Sequence, residues 1–221
     1  MMDAEATCRD IGGNRELFVD EYLIAKRTGC ELRLHSPQPQ NVAIAHTEPW
    51  EGNTCLFHTV FRDGDIVRMY YRGSHYDEAK REVKPTHEVT CYAESRDGIT
   101  WEKPNLGLCE WNGSKNNNIV LAGGRHSHAF VPFRDENPDC KPTERYKAFA
   151  RLGSEGLLYY ASADAINWTL KQDTPVITKG AFDSQNLAFW DARRGVYVDY
   201  HRDFRDKVRD IMTCTSRDFI N

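Results

Sequence analysis

Two carboxylates stand in matching surroundings in this 221-residue chain: Glu51, within Trp50-Glu51-Gly52-Asn53, and Asp183, within Asp183-Ser184-Gln185-Asn186. Each lies just ahead of a run of aliphatic and aromatic residues. Cleavage of a glycosidic bond uses two carboxyl groups, one protonating the leaving oxygen and one serving as base or nucleophile, about 5 to 10 Å apart. Glu51 and Asp183 are therefore the candidate catalytic pair. Trp50 offers a stacking surface for a sugar ring, as does Trp190, while Asn53, Gln185 and Asn186 offer amides to sugar hydroxyls. His126 and His128 alternate, so on an extended strand both side chains leave one face and contact substrate; on a loop they face solvent instead. Two histidines without a third ligand do not make a metal centre, and none is assigned. Arg72, Arg151 and Arg202 recur at the ends of strand-like runs, either as ion-pair partners between neighbouring units or as a basic rim for an acidic sugar.

The elements that must position these groups are repeated. Glu94-Ser95-Arg96-Asp97-Gly98-Ile99-Thr100-Trp101 returns as Ala161-Ser162-Ala163-Asp164-Ala165-Ile166-Asn167-Trp168, and again as Thr215-Ser216-Arg217-Asp218-Phe219-Ile220-Asn221. Ser and Asp side chains two residues apart can hold the amides of a tight turn, and the tryptophan folds back over it. Each copy follows two strand-like runs: Thr54 to Phe61 with Ile66 to Arg72, Ala129 to Phe133 with Tyr146 to Arg151, and Leu187 to Trp190 with Val196 to Arg202. Helical periodicity is nearly absent, the exception being Glu16 to Lys26, which reads as a strand with one helical turn. Antiparallel units of roughly 55 to 65 residues with a shared turn describe the blades of a β-propeller. The expected organisation is all-β: closing strands in 1–48, blades over 49–111 and 112–178, and a partial blade over 179–221. In such a ring the innermost strand of each blade lines the channel, so Glu51, His128, Asp183 and Asn186 are expected to converge at its mouth.

Composition narrows the partners. Lys plus Arg number 29 against 33 Asp plus Glu, with a formal charge of −4 and no basic stretch to follow a phosphate backbone, which argues against nucleic acid. No apolar run is long enough to span a bilayer, and the acidic start Met1-Met2-Asp3-Ala4-Glu5 is unlike a signal peptide, so the sequence as written points to the cytoplasm and to no membrane partner. A trimmed export signal would change the compartment. The seven cysteines contain no Cys-x-x-Cys pair and read as free thiols.

The chain resembles the five-bladed β-propeller glycoside hydrolases, similar to glycoside hydrolase families 32 and 43, and their bacterial relatives. The residues that carry this are Leu17-Phe18-Val19-Asp20-Glu21-Tyr22-Leu23-Ile24, Glu94 to Gly107, Asn116-Asn117-Asn118-Ile119-Val120-Leu121, and Phe182 to Asp191. The resemblance implies hydrolysis of a poly- or oligosaccharide by carboxylates on inner strands, without an organic cofactor. Arg134-Asp135-Glu136-Asn137-Pro138 only approximates the Arg-Asp-Pro pattern of that group, and Asp135 reads as a loop acid. A five-bladed ring needs roughly 300 residues, so about three blades are expected here with the rest of the ring missing. A non-catalytic module binding carbohydrate or protein is the alternative.

Overall fold

The computed structural model describes residues 8–221. It divides into two units, Met1–Asn41 and Val42–Asn221. Among the described residues 8–48 there are turns and bends but no strand, so over that range the closing strands expected in 1–48 and the strand and helical turn expected at Glu16 to Lys26 are not formed; residues 1–7 lie outside the described residues. Leu17, Phe18 and Val19 are exposed instead. A local contact, Arg9 Nη1 donating to the Tyr22 hydroxyl at 2.8 Å, orders that segment in place of a ladder.

The second unit is all-β, with three consecutive antiparallel sheets in simple meander order. The first holds β1 (Thr54–Asp63), β2 (Ile66–Asp77), β3 (Glu82–Ser95) and β4 (Ile119–Ala122). The second holds β5 (Val131–Arg134), β6 (Tyr146–Leu152), β7 (Gly156–Ser162) and β8 (Thr169–Leu170). The third holds β9 (Leu187–Asp191), β10 (Val196–Arg205) and β11 (Val208–Ser216). Because β4 pairs with β3, residues 119–122 close the first sheet, and the unit boundary expected at 112 moves to the far side of Ala122. The β1–β2 hairpin turns on Gly64 at φ +62, and the β10–β11 hairpin on Asp206 and Lys207, both left-handed, as two-residue turns require.

The recurring turn has one geometry in all three copies. Ser95 Oγ accepts from the Gly98 amide at 2.8 Å, and Asp97 Oδ1 accepts from the Ile99 and Thr100 amides at 2.8 and 2.7 Å. The Ser162–Asp164 and Ser216–Asp218 copies repeat these bonds within 0.1 Å. The residue after the aspartate is left-handed each time: Gly98, Ala165 and Phe219. Amide donors hold the Asp97 carboxyl down at about 2; burial raises that of Asp164, and its side-chain and amide donors outweigh it, leaving it also at about 2. These turns join neighbouring sheets. The Tyr70 hydroxyl on β2 donates to Ala165 O at 2.5 Å, and the Phe219 ring stacks on Phe149 and meets Tyr159 edge-on, at 4.8 and 4.9 Å. One apolar cluster thus lies between the second and third sheets, centred on Phe149, Leu157, Tyr159, Tyr197 and Phe219. Another, with Tyr70, Tyr92, Phe61 and Trp168, joins the first and second. Trp101 and Trp168 are partly exposed, and Trp168 folds back over its turn with Nε1 donating to Ala165 O at 3.1 Å.

Candidate functional site

Glu51 sits in a turn pressed onto β2. The Ser74 amide donates to Glu51 O at 3.0 Å, and Gly52 adopts φ +68 with its missing Cβ only 2.2 Å from Ser74 O, so no other residue fits there. The Glu51 side chain has no exposed surface. Lys103 Nζ reaches both carboxylate oxygens, at 2.6 and 2.8 Å, and the Tyr71 hydroxyl and Glu48 amide donate at 2.6 and 2.8 Å. His46 Nδ1 is 3.4 Å away. Burial alone would raise the Glu51 pKa, but these partners outweigh it and hold the carboxyl down at about 2. Glu51 is a buried anion at neutral pH. The cluster opens outward through the histidines: His46 Nε2 lies 2.9 Å from His58 Nε2, and His58 is exposed. Desolvation and the neighbouring His46 push the His58 pKa below its ordinary value, favouring a neutral ring.

Asp183 is placed differently, on the loop before β9. Its side chain is 51% exposed and pairs with Arg202 of β10. Asn186 is fully buried and donates to Phe182 O and Ser184 O at 3.2 and 3.0 Å, so it braces the loop and is closed to a ligand. Gln185 makes the long-range link. Its amide donates to His58 O at 3.0 Å and to Thr59 Oγ1 at 2.9 Å on β1, which seats the Asp183 loop against the first strand of the first sheet.

His126 and His128, read from the sequence as sharing one strand face or lying on a loop, are not on a strand. Gly123 and Gly124, both left-handed, turn the chain into a short 3-10 helix at Gly124–Ser127, and β5 begins only at Val131. His126 and His128 consequently diverge, and neither is a free loop residue. His126 Nδ1 meets the Tyr160 hydroxyl at 2.7 Å, while His128 Nδ1 lies 2.7 Å from Glu88 Oε1 and 3.1 Å from Arg72 Nη1. Arg72 follows Tyr71 on β2, so the two point to opposite faces. The Arg72, Glu88 and His128 group therefore lies across the first sheet from Glu51, and the expected convergence of His128 with Glu51 does not occur. Arg72 is buried and packs its guanidinium over Phe57, whose left-handed φ marks the bulge in β1.

Other expected contacts serve the fold. Trp50 Nε1 donates to Asn118 Oδ1 at 2.6 Å, with its ring against the first sheet's core, and Trp190 packs on the core between the second and third sheets. Asn53 pins its turn to the backbone of Tyr76 through both amide atoms. Asp135, expected as a loop acid, is buried, with Lys147 Nζ at 2.5 Å and the Tyr197 hydroxyl at 2.7 Å. Four residues that matter here have no signal in the sequence: Tyr71 and Lys103 meet Glu51 across 20 and 52 residues, His46 reaches it from five residues upstream, and His58 joins the group through His46. Among the described residues no helix is long and apolar enough to cross a membrane.

No protein-family model matches this chain, and no curated protein does. Among solved structures it is similar to that of a "putative glycoside hydrolase" from Parabacteroides distasonis, with 14% identity over 76% of this chain and a TM-score of 0.44. This chain spans 48% of that protein. It is also similar to a glycosyl hydrolase from Bacteroides ovatus, with 15% identity over 74% of this chain and 67% of that one, at a TM-score of 0.34. A third likeness, at 17% identity, 76% and 69% coverage and a TM-score of 0.35, is to a structure from the GH130 family of mannoside phosphorylases, which contains glycoside hydrolases that target β-1,2-mannosidic linkages in Candida mannan.

Proposed function

We propose that this chain is about three blades of a five-bladed β-propeller of the glycoside hydrolase type, and that it acts on glycosidic bonds of a poly- or oligosaccharide beside β1 and the Asp183 loop. The observation that carries the reading is the Gln185 bridge to the His58 backbone and Thr59, which seats the loop of an accessible carboxylate against another sheet's first strand. Three meander sheets sharing one turn geometry support the propeller. In this reading Asp183 is the carboxylate that meets substrate as base or nucleophile, held in place by its pairing with Arg202. Glu51 is the second carboxylate, acting through the His46 and His58 pair that covers it. Gln185 and His58 supply hydroxyl contacts. Both carboxylates carry cationic partners, so the proton for the leaving oxygen comes from another acid.

One observation favours the alternative, a saccharide-binding module without turnover: Glu51 has no surface on which a substrate atom can rest. A panel of polysaccharides, assayed for released reducing ends and in parallel for retention of the protein on each polymer, separates the two. Release supports hydrolysis; retention without release supports the module; neither overturns the carbohydrate reading.

A further inference from the structure

A separate group of chemistry-bearing side chains lies on the third sheet. Asp199 and His201 are two residues apart on β10 and leave the same face of the strand. Across the β10–β11 pair Asp199 stands opposite Cys214 and His201 opposite Met212, so backbone register alone brings a carboxylate, an imidazole and a thiol together. His201 Nδ1 contacts Asp199 Oδ2, and Cys214 Sγ lies 3.6 Å from the same oxygen. One ligand atom from each residue lies within 4.8 Å of the others.

Three further observations point to a ligand. Asp199 and His201 are only 4% and 5% exposed, yet Asp199 Oδ1 is buried with no hydrogen-bond partner, a state that costs stability unless a donor or a cation meets it. All three side chains line a cavity of about 340 Å³, which gives an ion an entry path and room for water. The His201 ring is also held in place: a Cβ on Gly180 would lie 2.6 Å from it, and the Phe182 ring centre is 5.5 Å away. A thiol nucleophile needs a histidine between it and the acid. Here the aspartate is in the middle, so Cys214 has no base and the cluster is not a cysteine catalytic site.

We propose that Asp199, His201 and Cys214 bind a zinc ion, with water in the fourth position. One oxygen, one nitrogen and one sulfur suit zinc, whereas calcium and magnesium take oxygen ligands almost throughout. Binding replaces the Cys214 Sγ–H bond by a sulfur–metal bond and releases the proton to solvent. The site stands on the register of β10 and β11 and does not depend on the saccharide reading.

The test uses the whole chain in a Cys8→Ser, Cys30→Ser background, which removes two exposed thiols in the first unit. Stripped of metal, it is titrated with Zn²⁺ against a chromophoric chelator, and with Co²⁺ while thiolate-to-cobalt charge-transfer absorption is followed. The expected result is one ion per chain, a charge-transfer band, and a raised Tm. Cys214→Ser, at an exposed position, should fold normally, lose the band, and lose more than the ~10–100-fold in affinity that removing an outer partner costs. Binding that Cys214→Ser leaves unchanged, or a cobalt complex without the thiolate band in the parent, would overturn the proposal. Should Cys214→Ser fail to fold, Asp199→Asn takes its place, and the parent's cobalt spectrum still decides.

Discussion

Removing Lys103 would leave the Glu51 charge buried without its cation, and breaking a buried pair in this way costs about 3 to 5 kcal/mol. Lys103→Met is therefore expected to lower the unfolding free energy by about that much, measured by urea denaturation at neutral pH. The same site sets a pH dependence. The Glu51 carboxyl titrates at about 2 in the folded chain against 4.5 for an ordinary glutamate. A depressed folded pKa contributes stability that is complete above the ordinary value and is lost as pH falls from about 4.5 toward about 2, on the order of 3 kcal/mol in all. In Lys103→Met the acid-side loss between those limits should be smaller, since the carboxyl has less to lose on protonation; an identical slope in parent and variant would contradict the assigned role of Lys103. Glu51 and Asp183 stood out in the sequence because each precedes a strand-like run. Their surroundings did not, because Lys103 and Tyr71 reach Glu51 across long separations that follow no helical or strand period. The burial of Asp135 was hidden for the same reason, its partner Tyr197 lying on another sheet.

The recurring turn was the most legible element, since its hydrogen bonds span only two or three residues and depend on Ser and Asp at fixed offsets. What a turn is pressed against is a different matter. Ser162→Ala removes the acceptor for the Asp164 and Ala165 amides in a buried turn and should cost about 1 to 2 kcal/mol. Phe219→Ala removes a ring packed on Phe133, Phe149, Tyr159 and Tyr197 and should cost about 3 to 5 kcal/mol; thermal unfolding checks both, and a Phe219→Ala loss no larger than that of Ser162→Ala would show that this turn does not tie the third sheet to the second. The place of β4 was not readable, because a four-residue strand reveals its partner only through long-range pairing. The divergence of His126 and His128 is not readable from their alternation, because the left-handed glycines before them turn the chain into a 3-10 helix.

For the whole molecule, the all-β class and the three antiparallel units were written in the repeat, and the absence of strands in residues 8–41 was not, since apolar residues there looked like strand material. The outer edge of β11 pairs with no strand among the described residues, and Val208 and Ile211 on it are each 66% exposed. Edges of this kind associate. Light scattering should show concentration-dependent self-association of the chain, reduced by Ile211→Lys; a monodisperse monomer across the range would argue against it. The saccharide site beside the Asp183 loop is tested by comparing reducing-end release by the parent and by Asp183→Asn on a polysaccharide that the parent cleaves. Asp183→Asn is expected to lose nearly all hydrolysis with its Tm within a few degrees of the parent, because a half-exposed loop carboxylate carries little packing. Full activity in Asp183→Asn would contradict it.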